Sequence, residues 1–166
     1  MTTVTIHTRG ASAGPATNYL DVARRYAANP EDWPFAPRFN PQQRWYQRLA
    51  VEQHSEIWVL SWLPGQGTDL HDHGGSAGAF VVLCGVLTEH TLADPQRRSS
   101  QLDHGQYSTG HGRSFDGHHI HQIINTGNEP AVSLHVYSPV LREMARYQIA
   151  DGRVVVTAVD RAGADW

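Results

Sequence analysis

The 166-residue chain is 40% hydrophobic and 17% charged, with 13 Lys+Arg against 16 Asp+Glu and a formal net charge of -3. That is enough apolar material for a core and too little charge for a disordered or coiled-coil chain, and the missing basic surplus argues against nucleic acid as a partner. A lone cysteine, Cys84, excludes an internal disulfide; no run approaches 18 apolar residues, and the first ten residues lack a signal peptide's layout. The expectation is therefore a cytoplasmic protein with no membrane partner. Arg24-Arg25 and Arg97-Arg98 read as solvated surface on a helix and a loop.

Residues 15–28 predict a helix, with Leu20, Val22, Ala23, Tyr26 and Ala27 as its apolar face and Pro30 as its stop. Residues 31–44, rich in Pro, Asn and Gln, read as irregular. From Trp45–Val51 onward the pattern is that of strands. Ile57–Leu63 is apolar on both faces, Pro64-Gly65-Gln66-Gly67 is a turn, and Ala79–Val86 is a buried strand that Leu87–Leu92 continues. Tyr107–Gly110, His119–Asn125 and Ala131–Ser138 are further extended pieces, the last two joined by a turn at Thr126-Gly127-Asn128. Arg146–Ile149 and Val154–Val159 form a hairpin about Asp151-Gly152. No βαβ rhythm or phosphate-binding glycine loop appears. Many short strands with a small helical lid favour a barrel or jelly roll.

The unusual count is histidine, at 11. In His71-Asp72-His73, residues two apart on a strand share a face, so two imidazoles could grip one ion. His118-His119-Ile120-His121 is a second cluster, with His119 and His121 on one face. Imidazole suits Fe, Zn, Cu or Ni, and a third ligand from a neighbouring strand would leave positions open for substrate. The competing reading is of surface or turn histidines. Ser133, His135 and Tyr137 also alternate, putting three polar groups on one face of one strand. Either a Ser–His–Tyr relay aimed into a pocket or a structural hydrogen-bond chain would satisfy them. Without a G-x-S-x-G elbow, Ser133 does not read as a hydrolase nucleophile. Tyr46 and Arg48 alternate on the first strand. An inward Arg48 would need an anion such as a substrate carboxylate, an outward one would be surface, and Arg44 reads as an unremarkable neighbour.

Gly65-x5-His71-x-His73-x4-Gly78-x6-Gly85 resembles the first cupin motif, with Gly78 where most cupins carry a metal-binding glutamate. Gly110-x5-Asp116-x-His118-x2-His121-x3-Asn125 echoes the second. With the glutamate missing, HDH at 71–73, H-x3-N at 121–125 and EPAVSLHVYSP at 129–139 resemble the cysteine dioxygenase family of thiol dioxygenases.

The resemblance implies a mainly β cupin double-stranded β-helix, a jelly-roll barrel with an N-terminal helical region and a C-terminal hairpin. One domain would span 1–166, with 1–44 as the helical extension and 45–139 as the motif-bearing barrel. It implies Fe(II) held by His71, His73 and His121, and a relay of Ser133, His135 and Tyr137. It also implies Arg48 as the carboxylate-binding arginine, with Tyr46 beside it. The partners would be O2 and a small thiol bearing a carboxylate, oxidised to the sulfinate; cysteine is favoured because of Arg48. Alternatives are 3-mercaptopropionate oxidation, a zinc-dependent isomerase and a non-catalytic metal- or ligand-binding cupin. A monomer is the default. Animal members carry, at the position of Gly78, a cysteine cross-linked to the tyrosine matching Tyr137; this chain resembles bacterial members without it. Cys84, six residues along, is too far to stand in and is expected as a buried small hydrophobe.

Overall fold

The computed structural model describes residues 18–94, 96 and 99–162. The expected helical first turn at 15–17 and the pair Arg97-Arg98 lie outside these residues. Helix α1 spans Tyr19–Ala27, capped by the Asn18 side chain, which accepts from the Leu20 N–H. Arg24 and Arg25 lie on its exposed side, and Arg25 and Tyr26 both bind Glu52, at 2.8 and 2.7 Å.

Eleven strands follow: β1 (Trp45–Glu52), β2 (Ser55–Trp62), β3 (Leu70–His71), β4 (Ala77–Cys84), β5 (Val86–Leu92), β6 (Leu102–Ser108), β7 (Gly112–Phe115), β8 (His121–Ile124), β9 (Ala131–Ser138), β10 (Glu143–Ala150) and β11 (Arg153–Arg161). The C-terminal hairpin forms as the pattern predicts, as β10 and β11. Gly112–Phe115 carries too little apolar alternation to be read as a strand, yet it pairs along the edge of β4.

The expected jelly-roll barrel does not form, which corrects the fold predicted for this chain. The strands divide into two antiparallel sheets, one ordered β1-β2-β9-β4-β7 and the other β11-β10-β3-β8-β5-β6. No ladder joins one sheet to the other among the described residues, so the sheets stay open. Alternation and turn residues specify strands. Closure needs edge strands of the two sheets to meet in register, and no local pattern encodes that. Gly85 shows how the chain changes sheet. It adopts φ +77° between β4 and β5, and a side chain there would strike Ala131.

The five-stranded sheet has two different faces. Ile57, Val81, Leu134 and Val136 pack with Ala23 beneath α1. Leu60, Trp62, Phe80, Val82 and Tyr137 point the other way, into a core shared with Leu87 and Ile123 of the second sheet. Alternation along β9 therefore sends Leu134 and Val136 to the helix, and Ser133, His135 and Tyr137 toward the second sheet. Asn125 is fully buried and donates to the carbonyl oxygens of Trp62 and Glu129, which ties the turn after β8 to the end of β2.

Gly78 pairs directly opposite Tyr137. A Cβ there would run into the Val136 carbonyl oxygen and the Phe115 ring, so β4 and β9 approach too closely for any side chain. Gly78→Cys should thus destabilise the fold by about 1–3 kcal/mol through overpacking. A thermal melt or urea titration checks this, and an unchanged midpoint would contradict the close approach.

Candidate metal centre

His71 and His121 are direct partners across the β3–β8 ladder. His73 lies just beyond β3, so its approach to His71 does not come from regular strand alternation. Asp72, between them, turns away and anchors this segment to β10. Its carboxylate accepts from the Ala145 N–H at 3.0 Å and the Tyr147 hydroxyl at 2.6 Å. The three rings converge with centroids 4.8 to 5.0 Å apart, and their ligand nitrogens lie within 4.8 Å of one another.

The proton positions follow from the hydrogen bonds. His71 Nδ1 lies 2.9 Å from the Asp69 carbonyl oxygen, which can only accept, so the proton sits on Nδ1 and the Nε2 lone pair is free. His121 Nδ1 donates to Glu89 Oε1 at 2.7 Å, which frees its Nε2 in the same way. His73 is buried and neither ring nitrogen has a partner. Two buried orphan nitrogens beside two imidazoles with free lone pairs fit a metal ion, which would satisfy one of them directly. Burial first, then the neighbouring His121, holds His71 down to about 3. Burial likewise drives His73 well below the usual histidine range and lowers His121, against the opposing pull of Glu89. The three rings are therefore neutral, the form that binds metal.

Glu89 is the supporting residue that sequence reasoning missed. Its Oε1 accepts from both His119 Nε2 (2.9 Å) and His121 Nδ1 (2.7 Å), and its Oε2 faces Arg113 at 3.2 Å. Burial alone would raise this carboxyl, but the two imidazole hydrogen bonds and the Arg113 charge outweigh it and hold Glu89 well below the usual range. Glu89, His119 and His121 also lie close enough to suggest a second metal group. The nitrogens in that group already donate to the carboxylate, so it backs the three-histidine set. The available signal was an acid at the centre of Val86–Leu92, a strand with Leu87 and Leu92 buried. His119 lies outside β8, and His118 is exposed.

The polar face of β9 forms a chain. Trp62 Nε1, which can only donate, gives its proton to Ser133 Oγ at 2.9 Å. Ser133 Oγ lies 2.9 Å from His135 Nε2, and His135 Nδ1 lies 3.2 Å from the Tyr137 hydroxyl. Every group is satisfied if Ser133 donates to Nε2 and His135 donates from Nδ1 to the Tyr137 oxygen. The Tyr137 O–H is then left free to donate elsewhere. Burial keeps His135 neutral and raises Tyr137, so the phenol keeps its proton. Trp62 was read only as an apolar strand residue, and its place at the head of this chain depends on the β2–β9 register.

A cavity of about 730 Å3 opens onto these groups, with His71, His121, His135 and Tyr137 in its wall. Tyr46 lines it, but Arg48 does not. Arg48 is more than half exposed, over the Trp58 ring at 5.8 Å and 3.6 Å from the buried carboxylate of Glu56. Arg44, read as unremarkable, is the β1-side arginine in the wall. Cys84 is exposed at the end of β4, which corrects the expected buried position.

Fold and centre together define a three-histidine metal protein on two packed antiparallel sheets, with no carboxylate in the ligand set. A family model described as cysteine dioxygenase type I matches residues 14–150. Cysteine dioxygenase type 1 of Rattus norvegicus is 31% identical over 126 residues, covering 71% of this chain and 62% of its own. That of Danio rerio is 33% identical over 127 residues, covering 72% and 63%. Among solved structures, the TT1209 protein from Thermus thermophilus superposes with a TM-score of 0.53 at 20% identity, covering 62% of this chain and 90% of that one; this likeness concerns fold alone. The chain belongs to the cysteine dioxygenase type I family. Its matches to the rat and zebrafish proteins span less than two thirds of their length. The His71–His73–His121 cluster fits the three-histidine ferrous site that the resemblance implies.

Two outcomes follow. Glu89→Gln should weaken metal affinity about 10- to 100-fold, measured by chelator competition, because the outer partner of a ligating histidine sets its orientation and basicity. In the metal-free protein, His71 has a folded pKa of about 3 against an ordinary 6.5. The unfolded chain therefore takes up protons that the folded one refuses. Stability that is full above pH 6.5 is lost as pH falls toward 3, and Glu89 adds loss in the same direction at lower pH. The urea midpoint should drop between about pH 7 and 5, and a flat profile would contradict buried neutral rings.

Proposed function

We propose that this protein is a thiol dioxygenase that oxidises a small thiol bearing a carboxylate, cysteine in the first instance, to the sulfinate with O2. The observation that carries this reading is the pairing of three neutral imidazoles with a protonated Tyr137 whose ring lies 5.0 Å from His73. Bound there by His71, His73 and His121, ferrous iron would supply redox chemistry and a positive charge that favours the thiolate form of the substrate. Both oxygen atoms end on sulfur, so sulfur loses four electrons, O2 gains four, and no external reductant is needed.

The chain's own residues hold and place these reactants. His71, His73 and His121 hold the metal and bring no negative charge, so an anionic thiolate is favoured. Tyr137 donates its hydroxyl proton as a hydrogen bond into the cavity. His135 fixes the direction of that hydroxyl, while Ser133 and Trp62 fix the His135 tautomer. Tyr46 contributes to the substrate side of the wall. Among the described residues no helix is long and apolar enough to cross a membrane. A cytoplasmic monomer remains part of this reading.

Oxidation of 3-mercaptopropionate is the second reading. Arg48 was the residue that favoured cysteine, and it lies outside the cavity wall. O2 uptake and sulfinate formation by iron-loaded protein, with each thiol in turn, test the proposal. His71→Ala should lose iron and turnover together. Tyr137→Phe should keep its iron and lose about 100-fold in kcat. Iron-loaded protein that consumes no O2 with either thiol would instead favour a non-catalytic ligand-binding role.

A further inference from the structure

Glu56 is a carboxylate that the fold buries beside the site without placing it in the cavity wall. Alternation puts it on the inner face of β2 with Trp58 and Leu60, directly across from Tyr137 of β9. Its side chain is only 4% exposed, so its charge has to be compensated. One oxygen accepts from the Leu141 N–H at 2.8 Å, where the chain passes from β9 to β10 along the cavity. The other lies 3.6 Å from Arg48 Nη1, beyond hydrogen-bond reach. The two contacts differ in kind. The backbone N–H fixes Glu56 in place, whereas Arg48, 55% exposed, is held by charge alone and is free to leave. Burial raises Tyr137 most, and the Glu56 charge adds to it, so this carboxylate is felt inside the site.

The resemblance gives Arg48 the substrate carboxylate, yet its guanidinium lies outside the cavity wall. Tyr46, on the same face of β1, and Trp58, whose ring Arg48 covers at 5.8 Å, are both in that wall. The register accounts for the difference. Tyr46 pairs with Leu60 and Arg48 with Trp58, while Glu56 pairs with Val51 near the β1–β2 turn. Glu56 therefore draws the guanidinium along the strands, away from Tyr46. We propose that Glu56 is a positioning residue that sets substrate specificity: it holds Arg48 back from the cavity, so a substrate carboxylate must win the guanidinium from it. A carboxylate that succeeds shares one cation with a fixed like charge, which lowers its affinity. A thiol without a carboxylate meets no such competition.

This assignment rests on the thiol dioxygenase reading for the substrate and on the resemblance for Arg48. Glu56→Gln keeps an oxygen to accept from Leu141 and removes the charge. The test compares iron-loaded wild type, Glu56→Gln, Arg48→Gln and the double variant, with 3-mercaptopropionate and with 2-aminoethanethiol, which lacks the carboxylate. Glu56→Gln should lower KM for 3-mercaptopropionate about 3- to 10-fold, between the effects of an exposed and a buried charge pair. It should change KM for 2-aminoethanethiol less than about twofold. In the Arg48→Gln background the same change should move neither KM, because the two residues act as a unit. A merely structural Glu56 would shift both thiols alike, with or without Arg48. A KM for 3-mercaptopropionate that rises or stays the same in Glu56→Gln, an equal shift for both thiols, or a fall that persists without Arg48 overturns the assignment. An unchanged KM for 3-mercaptopropionate in Arg48→Gln overturns it too. If Glu56→Gln does not fold, Glu56→Asp, one methylene shorter and so farther from Arg48, decides by the same comparison: a lower KM confined to 3-mercaptopropionate supports it, and an unchanged or higher one overturns it. If wild type oxidises neither thiol, the functional reading fails on its own, and calorimetric titration with propionate then decides. Tighter binding by Glu56→Gln than by wild type supports the competition; equal, weaker or no binding overturns it.

Discussion

Three clustered imidazoles, His73 and His121 buried and His71 half-buried at the cavity, can face one another only while they are uncharged, and much of this molecule's construction serves that condition. Burial lowers all three below the ordinary histidine range. The outer nitrogens of His71 and His121 give their protons to a backbone carbonyl and to Glu89, so the free lone pairs face inward. Neutral ligands leave the charge of a divalent ion unbalanced. A divalent ion held there would favour an anionic partner, and the carboxylates nearby are placed where they cannot compete. Glu89 is behind His121, while Asp69 and Asp160 are engaged by Arg146.

The second requirement is a wall of polar groups inside an apolar core. The five-stranded sheet provides it by keeping its two faces distinct. One face is covered by α1, and the other presents Ser133, His135 and Tyr137, the last two in the cavity wall. Leaving any of these unpartnered would cost about 1–3 kcal/mol. The chain from the Trp62 indole through Ser133 and His135 removes that cost and leaves one donor, the Tyr137 hydroxyl, free in the cavity wall. The direct pairing of Gly78 with Tyr137 brings β4 close on the other side, with no room for a side chain.

The sequence made the strands, the hairpin and the converging histidines legible because each is local or pairs two short motifs at fixed spacing. The HDH segment and His121 meet as expected, although β3 is only two residues long and His73 lies beyond it. What alternation could not supply was longer-range. Whether the sheets close depends on edge strands, and here they do not. The level at which β1 meets β2 depends on a bulge between Arg48 and Ala50, and the cavity takes Arg44 and Tyr46 while Arg48 stays outside its wall. Glu89 and Trp62 were hidden for a related reason. Each reads as an ordinary strand residue until the neighbouring strand brings His121 or Ser133 within hydrogen-bonding distance.

If one nitrogen from each of His71, His73 and His121 binds a single ion with no carboxylate among the ligands, anomalous diffraction at the iron edge from crystals of iron-loaded protein will locate it. One strong peak is expected at bonding distance from all three imidazoles and clear of every carboxylate oxygen. A peak held instead by Glu89 and His119, or iron bound with His73 turned away, would contradict it.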